Sequence, residues 1–175
     1  MRARRGQPPL KSQPGNDRQI ARLYEIEARC TARLAETSLA DTEQEFLALA
    51  AADPRDYFIP FQWGGILAGK NRWEEAAPVL TNALRLVPHH FEARALPAIA
   101  LGQTGRPEDA ARLVVGEFAP HGRYLAENAM AVLRALEASG RLDEARRFRT
   151  ELLKLAPRFP LRRAIEAYPL GKHQS

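Results

Sequence analysis

The sequence predicts an all-α fold, a solenoid of stacked antiparallel helix hairpins, on three observations. A short segment recurs: Asn71-Arg72-Trp73-Glu74-Glu75-Ala76, Gly105-Arg106-Pro107-Glu108-Asp109-Ala110 and Gly140-Arg141-Leu142-Asp143-Glu144-Ala145. Its closing alanines lie 34 and 35 residues apart, a period that marks stacked two-helix units. Each copy separates two apolar helical runs, and each second run stops at a proline, Pro88, Pro120 or Pro157, which cannot continue a helix.

Residues 1–16 carry Arg2, Arg4, Arg5 and Lys11 among prolines and glycines, with almost nothing to bury, and are expected to form a disordered basic arm. Clustered arginine attracts phosphate or an acidic surface. No aromatic residues interleave to stack bases, however, and a solvated tail is the simpler reading. Residues 17–54 read as a helical hairpin. Leu23, Ile26, Cys30 and Leu34 fall at helical spacing behind Asn16 or Asp17 as a cap. A second helix starts at Asp41, with Gln44 completing a capping box, carries Phe46, Leu47 and Leu49, and ends at Asp53-Pro54. This hairpin is either a degenerate first repeat or a dedicated cap, which a solenoid end needs to shield its apolar face.

Residues 55–157 hold the three repeats: Tyr57–Gly69 with Trp73–Leu86, Phe91–Thr104 with Pro107–Phe118, and Tyr124–Ser139 with Leu142–Leu155. Pro78 and Pro97 fall inside expected helices, each costing about 3 kcal/mol in an isolated helix, and Pro97 predicts a bend. The second unit is the shortest between its alanine and its proline, so its last helix is expected to splay or end early around Gly116. Residues 158–175 contain a short helix, Leu161–Tyr168, with Leu161, Ile165 and Tyr168 on one side and Arg162 and Arg163 on the other, which reads as a C-terminal cap.

Within the first unit Gly64, Ala76 and Ala83 are small where two helices of a hairpin approach, and Leu67 and Leu80 fill the space beside them. This pattern resembles the tetratricopeptide repeat (TPR) family, in a bacterial-type form, over Tyr57–Pro157. The resemblance implies a right-handed α-solenoid of three TPR-like units with an N-terminal helical hairpin and a C-terminal capping helix. Three positions depart from it: Glu117 and Leu152 stand where Ala83 does, and Leu133 stands where Gly64 does.

Composition, with 45% hydrophobic and 27% charged residues in 175, is that of one globular domain. The single Cys30 excludes an internal disulfide framework and a cysteine-built zinc site, and reads as a small core residue. No run approaches the roughly 18 apolar residues of a membrane span, and no apolar export segment follows the basic start, so the cytoplasm is the expected location. His89 and His90 are adjacent and diverge, with no further ligands nearby in sequence. The acidic pairs Glu74-Glu75, Glu108-Asp109 and Asp143-Glu144 recur in the first turn of each second helix, which suits helix-dipole and capping roles. No phosphate loop, dinucleotide fingerprint or nucleophile elbow is present. Neither an enzyme nor any cofactor or metal is expected.

The TPR resemblance implies a groove lined by the first helix of each hairpin. Carried over residue by residue, its lining is Phe58, Phe61, Gly65 and Ala68, then Glu92, Ala95 and Ile99, then Glu127, Met130 and Arg134. Only Arg134 would serve a clamp for a C-terminal carboxylate, so an apolar peptide or helix of a protein partner is the expected ligand, with Glu92 and Glu127 favouring a positive charge on it. The competing occupant is the chain's own N-terminal helix. The expected function is a non-enzymatic interaction scaffold or adaptor. Other readings are a secretion-type TPR chaperone, disfavoured by a pI of about 9.8, and a basic helical protein associated with nucleic acid, favoured by a net charge of +5. A further reading is a regulatory module related to cyclase- or transcription-regulator-linked arrays, whose C-terminal flanking segment the run from Arg158 to Leu170 resembles.

Overall fold

The computed structural model describes residues 39–116, 122–159 and 162–171, with the backbone alone at positions 39, 91, 92, 122 and 123. The basic arm, the first expected helix with Cys30, and Glu117, Phe118 and Leu161 lie outside the described residues. The chain divides into two compact units, Met1–Glu45 and Phe46–Ser175. All three repeats belong to the second unit, and the helix Leu39–Ala52 begins in the first and ends in the second.

Every regular element among the described residues is helical: α1 (Leu39–Ala52), α2 (Phe58–Gly69), α3 (Trp73–Leu86), a 3-10 turn (Phe91–Arg94), α4 (Ala95–Gln103), α5 (Pro107–Val115), α6 (Gly122–Ala138), α7 (Leu142–Leu155) and α8 (Arg162–Ala167). Helix α1 already includes Leu39, so Asp41 stands in its first turn, where the macrodipole favours an acid, and not before it as a cap. Of its expected apolar residues, Phe46 is buried and stacks on Trp63 with ring centroids 5.3 Å apart. Leu47 is exposed. The Asp56 carboxylate accepts the Phe58 backbone N–H at 2.9 Å, capping α2.

The three recurring segments form the same turn. Asn71, Gly105 and Gly140 have φ of 59°, 77° and 72°. In each case the N–H of that residue reaches back three residues, to Ala68, Gly102 or Glu137, at 2.9–3.1 Å. The N–H of the following arginine reaches back five, to Leu67, Leu101 or Leu136, at 2.8–2.9 Å. This is the left-handed helix C-cap with paired backbone bonds. The arginine that ends one helix then opens the next, since the carbonyls of Arg72, Arg106 and Arg141 accept the N–H of Ala76, Ala110 and Ala145 at 2.9–3.1 Å.

Both interior prolines are accommodated locally. Pro78 is exposed within the continuous helix α3. Pro97 is the third residue of α4, where an amide has no α-helical acceptor to lose, and a 3-10 turn ending at Arg94 precedes the helix. Helix α5 ends at Val115, ahead of Gly116 with φ of 63°, as the short second unit predicts.

Packing runs from α2 to α3, α3 to α4, and α4 to both α5 and α6; α5 also packs on α7, and α8 covers α6 and α7. One cluster of buried side chains joins the second and third hairpins to the end of the chain, from Ala98 and Leu101 through Leu133 and Phe148 to Ile165. Leu133 and Leu152, the departures from the small-residue pattern, are fully buried within it. The first hairpin closes on Gly64, where an added Cβ would lie 2.4 Å from Leu80 Cγ. Leu80 is wholly buried there, a gain of about 1.5–3 kcal/mol for its side chain. That gain offsets the roughly 1 kcal/mol that a helical glycine costs relative to alanine.

Gly64→Ala is therefore expected to destabilise the chain by about 1–3 kcal/mol, because Leu80 has no space to retreat within a filled core. Gly65→Ala places its Cβ 3.8 Å from Leu96 Cδ2, an ordinary contact. It is expected to leave stability unchanged or raise it by up to about 1 kcal/mol. Urea unfolding of the two variants checks both signs.

Candidate functional site

The residues expected to line the groove fall on the first helices of the three hairpins. On α2, Phe58, Phe61 and Gly65 are half-buried at helical spacing, whereas Ala68 is 5% exposed and belongs to the interior of the hairpin. Ala95 and Ile99 on α4 are half-buried; Glu92 is in the 3-10 turn, and its side chain lies outside the described residues. On α6, Met130 is half-buried and Glu127 and Arg134 are exposed. Helices α4 and α6 pack side by side, and Gly65 faces Leu96 of α4, so the three rows occupy neighbouring helices. Ile99 and Met130 rest against the main core cluster, which fixes their positions and leaves one flank of each open. The rows present apolar, half-covered side chains with an acid and a base at one end.

The acidic pairs have a different role from side-chain capping. None of the helices they open carries a side-chain cap bond at its first residue. Instead the turn arginine grips the acid three residues on: Arg72 pairs with Glu75, Arg106 Nε donates to Asp109 Oδ2 at 2.8 Å, and Arg141 Nη1 donates to Glu144 Oε1 at 2.8 Å. Arg112 also donates to Asp109, at 2.9 Å. The Arg106 hydrogen bond, supported by both guanidinium charges, holds the Asp109 carboxyl below the usual range. Glu108 bridges α5 to α7 through a two-pronged bond with Arg147, 2.8 Å at each oxygen, and that bond lowers its pKa.

Arg94 is a functional-looking residue that the repeat pattern does not flag. It is only 9% exposed, and burial pulls its pKa down from the usual value. Its guanidinium donates to the Pro88 carbonyl at 2.8 Å and to Leu113 at 3.0 Å, tying the loop after α3 to the last turn of α5. Leu113 O is among the carbonyls a helix end leaves without an internal donor. Gly116 makes room for the guanidinium, since an added Cβ would stand 1.7 Å from Nη1.

The end of the chain is tied down in a similar way. Tyr168 donates to Glu137 Oε2 at 2.6 Å and the Gly171 N–H donates to Glu137 Oε1 at 2.8 Å. Burial, and then the Glu137 carboxylate, push the Tyr168 phenol up from its ordinary value. Arg162 donates to the carbonyls of Leu153 and Pro157 at 3.1 and 2.9 Å.

His89 is exposed, while His90 is half-buried and meets Tyr57 edge-on with ring centroids 5.4 Å apart. Among the described residues no three His, Cys, Asp or Glu side chains converge as metal ligands, and no helix is long and apolar enough to cross a membrane.

Two substitutions test these contacts. Arg94→Met is expected to cost about 2–3 kcal/mol, because two carbonyls lose charge-assisted donors, and Arg94→Lys should recover only part of this, lacking the planar fork; both are read by denaturant unfolding. Arg147→Ala should cost less than about 1 kcal/mol at neutral pH, since the pair is on the surface. A carboxyl with a depressed folded-state pKa contributes stability above its unfolded value and loses it as pH falls through the folded one. The difference between wild type and Arg147→Ala should therefore vanish in acid, in melts run across that range.

The chain matches no family model, and a search of curated proteins gives no match.

Proposed function

We propose that this chain is a non-enzymatic, cytoplasmic interaction scaffold, a right-handed α-solenoid of TPR-like hairpins that holds a peptide or helix of a protein partner along α2, α4 and α6. One observation carries the reading: the three turns share a left-handed residue at the same position, the same two backbone bonds and an arginine paired with the acid three residues on. Turns of one type at a near-constant period set a first helix at the same point of each hairpin, and first helices so repeated suit an elongated ligand. The half-buried Phe58, Phe61, Ile99 and Met130 offer apolar seats on that surface, and Glu127 and Arg134 can select charge at its rim.

Phe61→Ala decides the matter when melting and partner capture are measured together. An aromatic anchor near the centre of an interface contributes at least about 1–2 kcal/mol, so captured partner should fall by roughly five- to thirtyfold. Because Phe61 is only half-buried, its loss of stability should be smaller than the roughly 3–5 kcal/mol expected for Phe148→Ala in the fully buried core. Undiminished capture by Phe61→Ala would reject α2 as part of the binding face. A loss of stability as large as that of Phe148→Ala would place Phe61 beneath another segment of the chain.

A further inference from the structure

The geometry points to a second binding site on the opposite helices of the first two hairpins, a cleft between α3 and α5 that takes an acidic peptide segment in extended form, with alternate apolar residues. Helices α5 and α7 pack directly, whereas α3 and α5 make at most glancing contact, and an open cleft of about 530 Å³ separates them. A second cleft of about 500 Å³ continues it toward Pro88 and Gly116 and shares Thr81, Arg85 and Leu113 with the first. None of the residues expected to line the groove on the first helices contributes to either cleft.

The cleft has an apolar floor and a cationic rim. Ala77, Leu84 and Leu101 are buried and Leu113 is half-buried, while Arg85, Arg106 and Arg112 are exposed. The rim's one acid, Asp109, is already bound by both Arg106 and Arg112, so positive charge remains. Arg112 also stands 3.8 Å from Glu151 on α7, and Glu151 is itself held by Lys154 at 3.4 Å. Arg85 makes no ion pair among the described residues. The floor along α3 from Ala77 to Arg85 is about 12 Å long at 1.5 Å per residue, which matches about four extended residues at about 3.3 Å each. Side chains of an extended segment alternate in direction, so apolar residues can enter the floor while carboxylates between them meet the rim arginines.

Fluorescence anisotropy on the full chain tests this with a labelled peptide of alternating glutamate and leucine, and with matched peptides carrying glutamine or lysine in place of glutamate. The acidic peptide should bind saturably and more weakly as salt rises, at least about tenfold tighter than the glutamine peptide. Arg85→Glu, at an exposed position, should weaken it by about tenfold with circular dichroism unchanged, and Phe61→Ala should leave it unaffected. No saturable binding of the acidic peptide, equal binding of the lysine peptide, or insensitivity to Arg85→Glu would overturn the proposal. So would displacement by inorganic phosphate or a short oligonucleotide at the peptide's own concentration, which would mark a general anion surface.

Discussion

A left-handed residue lets a helix turn back on itself within a few residues, provided that the released backbone groups find partners at once. Asn71, Gly105 and Gly140 meet that requirement, and the two N–H groups at each turn close on carbonyls of the helix just ended. The arginine that follows completes the first helix with its N–H and starts the second with its carbonyl, so no linker residue is left over. Everything downstream inherits this economy of chain. The acid three residues on is held by that arginine, and the alanine one residue further is carried into the contact between the helices, where Ala76, Ala110 and Ala145 are wholly buried.

The hairpins nevertheless associate unequally. The second and third share a continuous buried cluster, with Gly102 admitting Leu136 from α6 and Glu108 bonded to Arg147 across α5 and α7. The first hairpin meets the second chiefly through α3 and α4. Leu113 and Arg85 consequently border open space where a packed pair would have closed it. Arg94 spans the far end, holding the loop after α3 to the end of α5, and its burial is tolerated because it is hydrogen-bonded to one loop carbonyl and one helix-end carbonyl. The same cation adds positive charge at that end of the cleft.

Many of the surface arginines are paired. Arg72, Arg106, Arg112, Arg141, Arg146, Arg147 and Arg162 all face carboxylates, most of them within one helical turn. Such pairs contribute little stability individually, and because each is neutral they leave the net charge of +5 in place.

Helix positions and turns were legible in the sequence because they rest on local chemistry. A proline, a left-handed residue and an apolar period act within a few residues, and they placed α2, α3, α5 and α7 to within a residue or two of their starts. The interior of the first hairpin was legible for the same reason, since Gly64, Leu67, Leu80 and Ala83 face each other across one short turn. Residues whose role depends on contacts far along the chain were not. Arg94 bonds to Leu113, 19 residues on, Gln103 bonds to Ser139, 36 residues on, and Glu137 secures Tyr168 and Gly171. Each is an ordinary polar residue in sequence, and only the packing of the helices supplies its partner. The assignment of Ala68 to the groove failed for the same physical reason, because a small apolar residue on a helix carries no mark of which neighbour covers it. By itself the sequence determined where the chain must turn and which local faces are apolar. Only the tertiary structure decided which of those faces close on one another and which, as between α3 and α5, stay open, because that depends on the fit of whole helices.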